Sequence, residues 1–156
     1  MLRVNRSIFV LLLAFLALCV SGCASKPKPT ELEAVVRVAT NVNPDRSGRP
    51  SPVVMWLYEL KATAKFLSAD YFALAARDSS FMSGEVVNRS EYQLGPGELL
   101  DFSAEIDPGA AHVGVVVAFR DLENARWRGV FDLTPNRRNR IEIRVDRLAV
   151  SIQETR

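Results

Sequence analysis

Residues 140–146 read Arg140-Ile141-Glu142-Ile143-Arg144-Val145-Asp146, three branched apolar residues set between four charged ones. A period of two places the apolar set on one side of an extended chain and the charged set on the other, the pattern of a strand with one covered and one wet face. Working back toward the N-terminus, Trp127 to Leu133 aligns Trp127, Gly129, Phe131 and Leu133. His112 to Arg120 is apolar on both faces, as a central covered strand is. Leu99 to Ile106 sets Leu100, Phe102, Ala104 and Ile106 against Asp101, Ser103 and Glu105. Val53 to Lys61 puts Val54, Trp56, Tyr58 and Leu60 together, and Leu32, Ala34, Val36 and Val38 oppose Glu33 and Arg37. Beyond the opening stretch, Leu148, Val150 and Ile152 predict a short last strand.

Between the second and third of these strands the period changes. Ser68 is placed to cap a helix over about Ala69 to Ala76, with Asp70 in its first turn and Leu67, Tyr71, Leu74 and Ala75 near one face. Lys65 to Leu67 reads as an approaching turn, and the polar stretch Arg77 to Asn88 as irregular or partly helical. A helical insertion over about 63–90 is therefore expected. Seven or more short strands with one such insertion describe a mainly β fold, a two-sheet antiparallel β-sandwich.

The N-terminus sets the compartment. Arg3 and Arg6 precede an uncharged apolar run from Ile8 to Val20, the length of a signal-peptide core and short of the roughly 20 residues that span a bilayer. Val20-Ser21-Gly22-Cys23 follows and resembles the lipobox of bacterial lipoproteins, in which the cysteine becomes the first, lipidated residue. Residues 1–22 are thus expected to be a cleaved signal peptide and Cys23 an acylated anchor. Several acyl chains hold a protein firmly where one gives marginal residence. Ala24 after the cysteine implies, by the same resemblance, sorting to the outer membrane. Residues 23–31 alternate lysine with proline and read as an extended tether, leaving one domain over 32–156. Roughly 125 residues are enough for a proper core.

Charge and composition narrow the function. Twenty basic and eighteen acidic residues give +2 overall, but Arg3 and Arg6 leave with the signal and the remainder balances. No basic footprint is left for nucleic acid. Cys19 lies in the signal and Cys23 takes the lipid, so the mature domain has no disulfide. One histidine, His112, and no free thiol cannot make a zinc site. That histidine is read as a polar strand-end residue. No phosphate-cradling glycine loop, dinucleotide fingerprint or nucleophile elbow is present. Glu98, Asp101, Glu105 and Asp107 offer carboxylates, yet Asp101 and Glu105 fall on an outward strand face, where nothing perturbs a pKa enough for catalysis. No enzymatic activity, cofactor, metal or small-molecule substrate is expected.

The feature that stands out is the connection from Asn41 to Pro52, NVNPDRSGRPSP. It is too long for a simple hairpin. Its prolines limit the entropy lost on ordering, its arginines can make forked hydrogen bonds, and Asn43-Pro44-Asp45 favours a turn at its entry.

That loop running on into WLYELK, then KFLSADYFAL, the LGPGE turn from Leu94 to Glu98, and above all VGVVVAFRDLENARWR from Val113 to Arg128 together resemble the TssJ family. These are outer-membrane lipoproteins of the bacterial type VI secretion system, and the resemblance covers nearly all of the mature chain. It implies a transthyretin-like sandwich with a helical insertion, on an outer-membrane lipoprotein that faces the periplasm. It also implies an assembly role, binding the periplasmic C-terminal domain of TssM through the first inter-strand loop. Here that loop is Asn43, Pro44, Asp45, Arg46, Ser47, Gly48, Arg49, Pro50, Ser51 and Pro52. Phe119, Arg120, Asp121 and Trp127 are read as structural, with Arg120 or Asp121 tying the strand end to the turn before Trp127. The alternatives are a sandwich lipoprotein that binds a small ligand or inhibits an envelope enzyme, and a hydrolase using the acids near Glu98 and Asp101.

Overall fold

The computed structural model describes residues 27–76 and 82–155. The expected signal peptide and Cys23 lie outside them. Eight strands are present among the described residues: β1 (Thr30–Val38), β2 (Val53–Leu60), β3 (Val86–Leu94), β4 (Leu99–Ile106), β5 (His112–Val117), β6 (Arg128–Asp132), β7 (Arg138–Val145) and β8 (Val150–Glu154). Two short helices, α1 (Ala64–Ser68) and α2 (Tyr71–Ala75), sit between β2 and β3. The strands form two four-stranded sheets in the orders β4-β1-β7-β8 and β3-β2-β5-β6. The sandwich expected from the alternation is there, with one refinement: β1 and β7 run parallel, Ala34 opposite Ile141 and Val36 opposite Ile143. All other strand pairs are antiparallel.

The inner faces explain the period of two. Leu32, Val36, Ile141, Ile143 and Val145 from one sheet meet Met55, Val113, Val115 and Val117 from the other, all with no measurable exposure. The opening stretch keeps its charges on the outer side, where Arg37 and Arg144 both pair with Glu142, and Arg138 and Arg140 with Glu33. These exposed pairs contribute little to stability, because water and salt screen them. Burial of the apolar row drives the strand into place.

The second sheet is covered on both sides. Trp56, Tyr58 and Leu60 of β2 and Val116 of β5 face outward and pack under Phe66 of α1, Leu74 of α2 and Met82. The helical insertion is therefore a lid that gives this sheet a second core. Gly114 makes room for it: a Cβ there would lie 2.7 Å from the Phe66 ring and 2.9 Å from Leu60. Two arginines lock the lid by donating to helix carbonyls. Arg128 reaches Phe66 of α1 and Ala69 just beyond its end, and Arg89 reaches Ala75 and Ala76 at the end of α2 while lying over the Trp56 and Tyr58 rings.

Five expectations are corrected. Lys65 to Leu67, read as an approaching turn, belongs to a helix of its own, α1, and the extended Ala69 (ψ 147°) separates it from α2, which fills most of the expected helix. Asp70, not Ser68, caps α2, accepting from the Ala73 N–H at 2.8 Å. Leu67 accordingly lies on α1 and is 49% exposed rather than sharing a face with Leu74. Finally, the tail of the stretch read as irregular is strand β3, which begins at Val86, so the insertion closes before residue 90; residues 77–81 lie outside the described part. At the other end β1 starts at Thr30, two residues inside the stretch read as tether.

Candidate functional site: the loop pole of the sandwich

The strand register fixes two poles. β1 begins at the tether side and ends at Val38, beside Val145 at the end of β7. The segments that leave this far pole are the β1–β2 connection, the β3–β4 turn, the β5–β6 connection and the β7–β8 turn. The β1–β2 connection is long because β1 and β2 belong to different sheets, so it crosses the roughly 10 Å between them. It is an arch between layers, not a hairpin.

Asn43 is the keystone of that arch. It is 3% exposed and holds a positive φ of 47°, a conformation asparagine tolerates better than most residues. Its Nδ2 donates to the Pro52 carbonyl at 2.9 Å, its Oδ1 accepts the Arg120 N–H at 2.8 Å, and its own N–H donates to the Arg147 carbonyl at 2.9 Å. One side chain and its backbone thus join three of the four connections at this pole. Ser51, also buried, closes the arch through its N–H to the Val42 carbonyl.

Above this base the loop braces itself. Asp45 Oδ1 accepts the Ser47 and Arg49 N–H groups at 2.8 and 3.0 Å, and its Oδ2 accepts Arg49 Nε at 2.8 Å. The Asp45 N–H donates to the Arg49 carbonyl, and the Gly48 N–H to the Asp45 carbonyl. Gly48 supplies the positive φ of 78° that closes the turn. The Arg49 N–H, its guanidinium and the Ser47 N–H hold the Asp45 carboxyl below its ordinary value, because all of them favour the charged form. Arg46, Ser47, Gly48, Arg49, Pro50 and Pro52 are exposed. The ten residues read from the sequence as one contact segment therefore divide into an outer row of six that faces solvent, an inner set, Asn43, Asp45 and Ser51, that shapes it, and half-buried Pro44 between the two.

The residues read as structural fall into place unevenly. Phe119 is buried, and half-buried Trp127 packs against both cores and edge-on against Tyr71 at 5.5 Å. Asp121 is the member of its pair that ties the turn, accepting from the Asn124 N–H and Nδ2. Arg120 contributes only its backbone to the scaffold. Its side chain joins Pro44, Asp45, Arg46, Phe72, Asp121, Leu122, Glu123, Arg147 and Leu148 around an open cleft of about 830 Å³. Phe72, Leu122 and Arg147 carry no distinguishing pattern in the sequence beyond an apolar residue on the outer side of a short helix.

The remaining candidates serve the fold. Glu98 Oε2 accepts the Gly95 N–H within its turn, and His112 Nδ1 lies 2.7 Å from Asp132 at a strand end. Buried Glu59 binds Asn88 Nδ2 and the Asp107 N–H. Among the described residues no three His, Cys, Asp or Glu side chains converge as a metal site would require.

A two-sheet sandwich with one helical lid and a self-braced arch at one pole defines a scaffold that presents loops. The chain belongs to the T6SS-SciN family of type VI secretion lipoproteins (VasD, EvfM, TssJ, VC_A0113), whose family model matches residues 30–148. It is similar to the T6SS lipoprotein TssJ1 from Pseudomonas aeruginosa, at 34% identity over 82% of this chain and 98% of that one, with a TM-score of 0.80. A chain of a type VI membrane complex is 25% identical over 83% of this chain and 100% of its own, with a TM-score of 0.67. A chain in the structure of the T6SS protein TssM C-terminal domain (869-1107) from EAEC is 27% identical over 81% of this chain and 99% of its own, with a TM-score of 0.65. No curated protein matches the chain.

Proposed function

We propose that this lipoprotein anchors the type VI secretion membrane complex to the outer membrane, held by lipid on Cys23, with its domain in the periplasm and its loop pole bound to the periplasmic C-terminal domain of TssM. It turns over no substrate. The observation that carries the reading is the pre-shaped arch: Asn43 and Asp45 fix the backbone, so Arg46, Ser47, Gly48, Arg49, Pro50 and Pro52 are offered to a partner with little further entropy to lose. The polarity of β1 supports it. Nine residues at about 3.3 Å each put the arch roughly 30 Å beyond the point where the tether enters, facing away from a bilayer that holds Cys23. Among the described residues no helix is long and apolar enough to cross a membrane.

Immobilised TssM periplasmic domain should capture the wild-type domain and fail to capture a variant with Arg46, Ser47, Arg49 and Pro50 replaced by glycine or serine. Asn43 and Asp45 are kept so that the fold stays intact. Equal capture of a variant that unfolds at the wild-type temperature would refute the site. Cys23→Ser should move the protein from the membrane to the soluble fraction, and its retention on the membrane would refute the anchor.

A further inference from the structure

The cleft beside the arch shares Asp45 with the brace, and the rest of its lining is chemically lopsided. Phe72, at 73% the most exposed large apolar side chain among the described residues, stands at its edge on α2. Its orientation is held from behind: Tyr71 packs edge-on against Phe72 at 5.4 Å and against Trp127 at 5.5 Å, and Asp70 caps the helix. Leu122 and Leu148 continue the apolar floor. Around it stand Arg46, Arg120 and Arg147. Among the described residues none of their guanidinium groups lies within ion-pairing distance of a carboxylate.

The acids of the cleft are differently engaged. Asp45 is spent on Ser47 and Arg49, and both oxygens of Asp121 accept from Asn124. Glu123 is the one cleft acid with no such partner among the described residues. The surface therefore offers three guanidinium forks and an aromatic ring, while most of its own acceptors are turned inward. Arginine and aromatic anchors beside a pre-shaped loop are the groups that concentrate binding energy at protein interfaces.

We propose that this cleft is a second half of the partner site, receiving a polypeptide segment that presents an apolar side chain to Phe72, Leu122 and Leu148 and carboxylates to Arg46, Arg120 and Arg147. The occupant is the partner that the arch engages, so the inference rests on the proposed function. The cleft is continuous with the arch through Pro44, Asp45 and Arg46. The helical lid, whose other role is to cover Trp56 and Tyr58, thereby contributes a contact residue of its own.

The test compares Phe72→Ala, Arg147→Glu and the arch variant with wild type for binding to the periplasmic TssM domain by calorimetry at two salt concentrations. Phe72 and Arg147 are exposed, so both single variants should keep the wild-type unfolding temperature. The expected result is at least a tenfold weakening for each single variant, with a shallower salt dependence for Arg147→Glu. Wild-type affinity in both single variants alongside lost binding in the arch variant would overturn the cleft and leave the arch standing. Unchanged affinity in all three would overturn both, and no binding by wild type would overturn the proposed function together with the cleft's occupant.

Discussion

Replacing Asn43 by alanine should destabilise the domain more than any exposed residue of the arch. The substitution removes the donor to the Pro52 carbonyl and the acceptor of the Arg120 N–H, at 2.9 and 2.8 Å. Each such bond is worth about 1 kcal/mol net, and more where its partner is left unsatisfied. Alanine must also hold the positive φ of 47°, which costs a residue with a Cβ about another 1 kcal/mol. The expected loss is about 3 kcal/mol, which lowers the unfolding temperature of a domain this size by about 10 °C. Calorimetric unfolding of the wild type, Asn43→Ala and Asn43→Gly separates the contributions. Glycine adopts the backbone freely but makes neither bond, so it should fall between the other two. A shift under about 3 °C for alanine would refute the keystone role, because it would mean that the three connections hold together without this side chain.

Other consequences follow from the lid and the brace. Gly114→Ala forces a methyl to 2.7 Å from Phe66 and should cost about 2 kcal/mol through overpacking, read in denaturant unfolding together with faster amide exchange in α1. Asp45 has a folded-state pKa below its unfolded value, so its bracing is complete above about pH 3.9 and is lost as pH falls through the lower folded value. Amide protection at Ser47 and Arg49 should decline across that acidic window and be absent at every pH in Asp45→Ala, whereas protection unchanged down to the acid-unfolding transition would contradict the brace.

The strands were legible wherever one face was wet, because burial then writes a period of two into the sequence. Residues 140–146 are the clearest case. β3 was missed for the converse reason: it is an edge strand, and of Val86 to Leu94 only Leu94 is buried, so little alternation is imposed on it. The helix start was read two residues early because Ser68 and Asp70 are both capping residues, and the choice between them is made by the extended Ala69, which follows from how Phe66 and Leu74 each reach the sheet. The arch was visible by its length and prolines. Its division into an outer row and an inner set was not, since Asn43 and Asp45 look like ordinary turn residues until the sheets bring Pro52, Arg120 and Arg147 beside them. The cleft was still less legible, being assembled from segments as far apart in sequence as Pro44, Phe72, Arg120 and Arg147.

The claim that the arch is where this lipoprotein meets TssM is tested most directly in cells. A photo-crosslinking amino acid at position 46 or 49 of the full chain should yield a covalent adduct with TssM, while the same group at Arg140, on the outer face of the other sheet, should yield none. Adducts at position 140 and none at 46 or 49 would contradict the account.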